Sequence, residues 1–280
     1  METVAILGVG LIGGSFALAL KRAGFSGRIL GVSSPATLKQ ALDLGAIDEG
    51  LPIQDALARA DLVFMAQPIG RILTDLPRVD MLASPGALIT DVGSTKVRIV
   101  QRAKETIRRA KFLGGHPLAG SEARGVAAAS ADLFAGRTWF LTPVENADLT
   151  PASGFLNWIR KIGAVPTPIS PSDHDRLVAH TSHLPQLAAT ALACALSRQL
   201  AGIDPTLAAG PGLLDSTRLA MSSFDVWGDI VATNQEQIER ALAWYIQELQ
   251  DIRRKLGYDT LRKEFEDASM YAKRLRKIKE

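Results

Sequence analysis

A G-x-G-x-x-G run constrains this chain more than any other feature. Gly8, Gly10 and Gly13 stand in Val4-Ala5-Ile6-Leu7-Gly8-Val9-Gly10-Leu11-Ile12-Gly13, and both flanks fit. Thr3 to Leu7 reads as a short buried strand. Ile12 to Ala23, carrying Phe16, Leu18, Ala19 and Leu20, reads as a helix stopped by Gly24. In a strand–turn–helix unit of this kind the first glycine permits the tight turn. The second lets the backbone approach a pyrophosphate, and the third lets helix and strand pack closely. The helix start at Leu11 and Ile12 turns free N–H groups and a positive dipole end toward phosphate. The spacing therefore predicts a dinucleotide site; the competing reading is a glycine-rich turn that binds nothing.

The next segments keep alternating. Arg28 to Ser33, Asp61 to Ala66, Gly86 to Val92 and Lys111 to Gly115 read as strands, with helices over Pro35 to Leu44 and Thr95 to Arg109. Alternation of this kind implies a parallel, doubly wound sheet. Arg137 to Thr142 and Ala164 to Ile169 look like further strands that extend it. Near Ser170-Pro171-Ser172 the pattern turns helical: one long apolar helix from about Asp173 to Leu200, then Asn234 to Leu256 and Thr260 to Lys279, parted by Gly257. The expected organisation is an α/β dinucleotide-binding domain over 1–170 and an all-α domain over 171–280. Helical pairs with a large apolar face and little else to bury it against suggest a homodimer through the second domain. The tail Lys273 to Lys279 reads as a solvated helix end, where cations favour the dipole.

Composition narrows the partners. A hydrophobic share of 47% and a charged share of 22% are ordinary for a globular protein. A net charge of +3, with no basic block outside the tail, suits small anions rather than nucleic acid. Cys194 is the single cysteine, so no internal disulfide forms and a reducing cytoplasm is the expected compartment. No basic segment precedes the first apolar run, as a signal peptide requires. The longest apolar stretch, Leu187 to Leu196, is too short to span a bilayer and predicts a buried helix.

At the end of the second strand, where a carboxylate usually holds the adenine ribose, this chain has Ser33 and Ser34. Hydroxyls do not repel a 2′-phosphate, so the expected cofactor is NADP or NAD, with NADP slightly favoured. The alternative is that both serines cap the helix starting at Pro35.

Four further clusters carry chemistry. Asp91-Val92-Gly93-Ser94-Thr95-Lys96 ends the fourth strand and places Ser94 on the ligand side of the sheet, where it or Thr95 would equally serve as a helix cap. Gly114-Gly115-His116-Pro117-Leu118-Ala119-Gly120-Ser121-Glu122 holds His116 in a loop after the fifth strand, where an imidazole suits general base chemistry, with Glu122 nearby. His180-Thr181-Ser182-His183-Leu184-Pro185-Gln186 sets two histidines three apart on one helical face; without carboxylates or cysteines at ligand spacing, no metal is expected. Asp215-Ser216-Thr217-Arg218, followed by Trp227 and Asp229, offers Arg218 either as a carboxylate clamp or as the partner of Asp215 or Asp229.

In this order, GSTK, GGHPLAGSE, TSHLPQ and DSTRLA…W resemble the prephenate/arogenate (cyclohexadienyl) dehydrogenase family, over nearly the whole chain. The resemblance implies a Rossmann domain followed by a helical dimerisation domain. It also implies NAD(P)-dependent oxidative decarboxylation in tyrosine biosynthesis. On that basis His116 takes the proton of the substrate ring hydroxyl and Ser94 hydrogen-bonds that hydroxyl and helps position His116. Arg218 binds a substrate carboxylate, His183 and Gln186 line the pocket, and Trp227 and Glu122 stand further out. Many prephenate-preferring members have a second histidine where this chain has Gln186, which leaves prephenate and arogenate both open, prephenate slightly ahead. Two rival readings are a β-hydroxyacid dehydrogenase and a non-catalytic NAD(P) sensor. The first generally relies on a catalytic lysine in the helical domain, whose first half is nearly free of lysine here. The second has no need of His116, Ser94 and Arg218 together.

Overall fold

A computed structural model of the chain describes residues 1–121, 123–144, 152–257 and 259–277. Among these residues eight strands form one sheet: β1 (Thr3–Leu7), β2 (Arg28–Val32), β3 (Glu49–Gly50), β4 (Leu62–Met65), β5 (Leu88–Asp91), β6 (Lys111–Pro117), β7 (Thr138–Pro143) and β8 (Val165–Pro168). Their order is β3-β2-β1-β4-β5-β6-β7-β8. The first six run parallel; β7 pairs antiparallel with β6, and β8 parallel with β7. This is the doubly wound order, reversing direction between β1 and β4.

The helices are α1 (Leu11–Arg22), α2 (Pro35–Asp43), α3 (Ile53–Leu57), α4 (Ile69–Leu82), α5 (Val97–Thr106) and α6 (Ser153–Lys161), then α7 (Pro171–Val178), α8 (Leu184–Gln199), α9 (Pro211–Thr217), α10 (Phe224–Thr233), α11 (Gln235–Lys255) and α12 (Thr260–Lys277). The reason for two helical layers is visible in β1. Successive side chains point to opposite faces, and Val4, Ala5, Ile6 and Leu7 are all fully buried. A strand apolar at every position needs cover on both sides. On one side Val4, Ile6 and Phe64 meet Phe16 of α1, Trp139 of β7 and Phe155 of α6. Phe16 and Phe64 stack at 4.1 Å. On the other, Leu7, Val63 and Ile89 meet Ile72 and Leu76 of α4 and Ile99 of α5.

Differences from expectation are local. The two-residue β3 and the short α3 are too brief to show a period. β6 runs on to Pro117, so His116 lies on the strand and not in a loop after it, opposite Phe140 of β7. The long helix expected from Asp173 is interrupted by a π-helical turn over Ala179–His183. Leu187 to Leu196 is not a buried helix: Ala191, Leu192, Cys194 and Ala195 are exposed, because this chain supplies no surface to cover them. Ile278 and Lys279, expected at the end of the last helix, lie outside the described residues. No helix among the described residues is long and apolar enough to cross a membrane.

By compactness the chain divides at Gln235. The first unit, Met1–Gln235, includes α7 to α10, which are bonded to the sheet's carboxyl side. Asp229 accepts from Gly70 N (2.8 Å), and the Thr95 and Thr233 hydroxyls meet at 2.7 Å. The second unit, Glu236–Glu280, is a helical pair in which Gly257 (φ 86°) ends the turn after α11 and Lys255 pairs with Glu264 at 2.5 Å. Trp244, Phe265 and Met270 on it are largely exposed.

Candidate active site

The glycine loop has the geometry its spacing implies. Gly8 sits at φ +91°, a backbone region that side chains disfavour, and a Cβ there would stand 2.5 Å from the Ala66 carbonyl oxygen. A Cβ on Gly13 would collide with the Gly8 carbonyl, so the turn closes only with glycine at both places. Gly10, by contrast, faces open space. It is the N-cap of α1 and receives no side-chain cap, so the first turn, through Leu11, Ile12 and Gly13, presents its backbone donors outward. An open glycine at an uncapped helix start is what an approaching pyrophosphate needs, so the residues present fit a nicotinamide dinucleotide. At the end of β2, Ser34 caps α2 by accepting from Thr37 N (3.3 Å), while Ser33 is half-buried. Arg28 is paired with Glu49 and Lys39 with Asp43, so neither cation is committed to this corner.

His116 is built into a hydrogen-bonded chain. Its Nδ1 lies 2.9 Å from His174 Nε2, and His174 Nδ1 lies 2.8 Å from Asp175 Oδ1. The protons follow from donor and acceptor rules. A carboxylate only accepts, so His174 carries its proton on Nδ1 and accepts at Nε2. His116 therefore donates from Nδ1, and its lone pair sits on Nε2. Burial pushes the His116 pKa well below the usual value, helped by neighbouring His174, Lys96 and His183. Burial lowers that of His174 as well, against the pull of Asp175. Both rings are neutral near pH 7.

Asp175 has a second task. Its two oxygens accept from Lys96 N (2.6 Å) and Val97 N (2.9 Å), covering the start of α5. Neither Ser94 nor Thr95 is the N-cap of α5; Lys96 is, and its side chain does not cap the helix. Ser94 is half-buried beside it. The fully buried Lys96 ammonium bonds to Asp91 and to the Gly115 carbonyl (2.8 Å). Asp91 also accepts from Gly93 N and Gly115 N. This ion pair ties the ends of β5 and β6 together directly beneath His116.

The helical side adds a second group. His183 is buried, whereas His180 is exposed, so the two do not share a face; the π-helical turn shifts the usual i, i+3 alignment. His183 packs edge-on against Trp227 (5.8 Å between ring centres), and Asn234 Nδ2 reaches its Nδ1 at 3.3 Å while donating to the Asp175 carbonyl. Burial lowers the His183 pKa to about 4. Gln186 is buried, and its Nε2 donates to the Leu219 carbonyl (2.8 Å). That bond holds the 3-10 turn Arg218–Met221, with the exposed Arg218 at its head. Asp229, one of the suggested partners of Arg218, is engaged with Gly70 N. Glu122 lies outside the described residues. His174 and Asp175 were not singled out in the sequence. Ser-Pro-Ser-Asp reads as a helix cap, as Ser170 indeed is (3.1 Å from Asp173 N), and the His-Asp dipeptide behind it is the one local sign that the helix start carries more.

Comparisons with known proteins bear on the family and the overall fold. Residues 16–166 match the model described as prephenate dehydrogenase, nucleotide-binding domain, and residues 170–268 the one described as prephenate dehydrogenase, dimerization domain. A prephenate dehydrogenase of Bacillus subtilis is 36% identical over 261 residues, covering 90% of this chain and 69% of that protein. Among solved structures, prephenate dehydrogenase from A. aeolicus in complex with hydroxyphenyl propionate and NAD+ matches with a TM-score of 0.86 at 32% identity, over 99% of this chain and 96% of that one. Synechocystis arogenate dehydrogenase matches with a TM-score of 0.84 at 28% identity, over 98% and 99%. A Rossmann-type sheet with an open dinucleotide turn, a neutral histidine pair at its carboxyl edge and two matching family models together place this chain in the prephenate dehydrogenase family of nicotinamide-dependent oxidoreductases.

Proposed function

We propose that this chain catalyses the NAD(P)-dependent oxidative decarboxylation of prephenate to 4-hydroxyphenylpyruvate, with His116 as the base. The observation that carries the reading is the Asp175–His174–His116 chain, which leaves one neutral, oriented lone pair on His116 Nε2 at the ligand side of the sheet. A bound nicotinamide supplies the acceptor for the hydride that leaves the hydroxyl-bearing ring carbon. His116 takes the hydroxyl proton as that carbon becomes a carbonyl centre, and loss of the ring carboxylate as CO₂ leaves an aromatic ring. Ser94 hydrogen-bonds the substrate hydroxyl, and Arg218 pairs with a carboxylate in the bidentate manner its planar fork allows. His183 and Trp227 wall the pocket. Gln186 serves as the support of the Arg218 turn rather than as a direct reader of the substrate side chain, which favours prephenate and arogenate about equally at this position.

Cofactor choice follows from the end of β2. Among the described residues no carboxylate there repels a 2′-phosphate, and the nearby cations Arg28 and Lys39 are each paired with a carboxylate, so NADP and NAD both serve, with kcat/KM values within about tenfold. The helical segment over 171–280 provides the dimer interface. Its support is the apolar surface of α8 and of the second unit, together with the matched dimerization domain. The deciding experiment is steady-state oxidation of prephenate and of arogenate, each with NAD and NADP, followed by reduced-cofactor absorbance. Formation of 4-hydroxyphenylpyruvate from prephenate is expected. A protein that binds cofactor yet turns over neither substrate would return the reading to the sensor class.

A further inference from the structure

We infer that Asn234 is a positioning residue: its side-chain amide fixes His183 in the form that carries its proton on Nε2, so that His183 offers the substrate a hydrogen-bond donor while His116 offers the base. The donor role rests on the reaction proposed above; the position of the proton does not. Asn234 closes α10 and is buried. The preceding residue, Thr233, is tied to Thr95, so the end of α10 is held beside the residues that follow β5. Asn234 Nδ2 lies 2.8 Å from the Asp175 carbonyl oxygen and 3.3 Å from His183 Nδ1. A carbonyl only accepts, so the group facing it is the amide nitrogen; turned the other way, the amide would set two acceptor oxygens against each other. The amide nitrogen carries two hydrogens. One goes to the Asp175 carbonyl and the other to His183 Nδ1, which is therefore a lone pair.

Burial holds the His183 pKa at about 4, so the ring is neutral near pH 7 and has a single proton. With Nδ1 accepting, that proton is on Nε2. Nε2 has no hydrogen bond to a described residue. Nor is it one of the enclosed unpartnered atoms, which among the described residues are Gln67 Oε1, Thr90 Oγ1, Trp139 Nε1 and Thr142 Oγ1. It therefore keeps accessible surface. His183 is also near enough to His116 to oppose the charging of that ring. The two histidines thus present opposite chemistry, a lone pair on His116 Nε2 and an N–H on His183 Nε2. A donor suits a carbonyl or carboxylate oxygen of an anionic substrate. It does not compete with His116 for the hydroxyl proton, as a second lone pair would.

Nitrogen NMR of protein labelled in its histidines tests this, because protonated and unprotonated ring nitrogens resonate far apart and His183→Gln identifies the His183 signals. In the wild type the expected result is a protonated Nε2 and an unprotonated Nδ1. Asn234→Asp replaces the donor by an acceptor and should move the proton to Nδ1 in mildly alkaline buffer, where the ring stays neutral. Asn234→Leu removes both bonds and offers neither donor nor acceptor, so it controls for lost support of Asp175. KM for prephenate should rise about tenfold more in Asn234→Asp than in Asn234→Leu, the size of one hydrogen bond, with kcat falling equally in the two. An unprotonated Nε2 in the wild type would overturn the proposal, whatever the variants do. So would an unmoved proton in Asn234→Asp, or equal KM values in the two variants, which would leave Asn234 as a support of Asp175 alone. A wild type with the expected proton that turns over neither prephenate nor arogenate would instead overturn the reaction beneath the donor role.

Discussion

The His116 imidazole is useful because two neighbours leave it no choice of tautomer. With Nδ1–H donated to His174, the base is Nε2, and with its pKa held well below the usual 6.5 the base is free at neutral pH. His116→Asn should lower kcat by roughly 10²–10⁴-fold, the worth of a general base, while the dissociation constant for NAD+ stays unchanged. His174→Leu removes the acceptor and lets His116 rotate and exchange tautomers. A kcat loss of about 10- to 100-fold is expected, with a shifted acid limb in the kcat/KM profile. His174→Gln, which still offers an acceptor, should restore part of the rate. A merely structural His174 would leave the pH profile alone. For the wild type the sign of the shift is plain: the acid limb falls below pH 6.5, so activity persists at pH 6, where an ordinary histidine would be mostly protonated.

Among the elements, α5 shows best how local reading and tertiary structure divide the work. Its sequence start, Gly93-Ser94-Thr95, looks self-capping, yet the bonds that cover it come from Asp175, 79 positions after Lys96 and carried by α7. Asp175→Ala should therefore cost about 2 kcal/mol, the upper range for a lost cap, seen as a lower urea midpoint at unchanged m. It should also reduce kcat, since the same carboxylate orients His174. The central strands were legible because each is largely apolar and bounded by turn residues; β1 was placed at Thr3–Leu7 from that pattern. The glycine turn was legible because its spacing is a steric requirement. The π-helical turn was not, since one extra residue in a helix leaves no compositional trace, and with it went the true orientations of His180 and His183. The helix over Leu187–Leu196 was misjudged for a different reason: hydrophobicity says that a surface is to be covered, not whether the same chain covers it.

At the scale of the whole molecule two properties follow. Phe265, Trp244 and Met270 of the second unit and Leu192 of α8 remain exposed in the single chain. If they meet a second copy, sedimentation should report a species of twice 30.0 kDa, and Phe265→Glu should shift it toward the monomer. The other property is acid lability. The folded chain keeps His116, His174 and His183 neutral because burial opposes their charging. The unfolded chain does not, and its imidazoles take up protons near pH 6.5. Below that pH the unfolded state binds more protons than the folded one, so stability declines as pH falls. The loss continues down to the folded pKa, which for His183 is about 4. That interval is worth about 3 kcal/mol for His183 alone, and the other two rings act in the same direction. Asp48 and Asp61, whose pKa values are lowered, add to the loss only at more acid pH, below the ordinary carboxylate range. Thermal melts should thus show a flat Tm above pH 7 and a steep fall between pH 6.5 and 4, where carboxylates contribute little. His183→Gln, with no proton to take up, should shallow that fall. A Tm constant from pH 7.5 to 5 would mean that the histidine cluster opens to water and charges without cost.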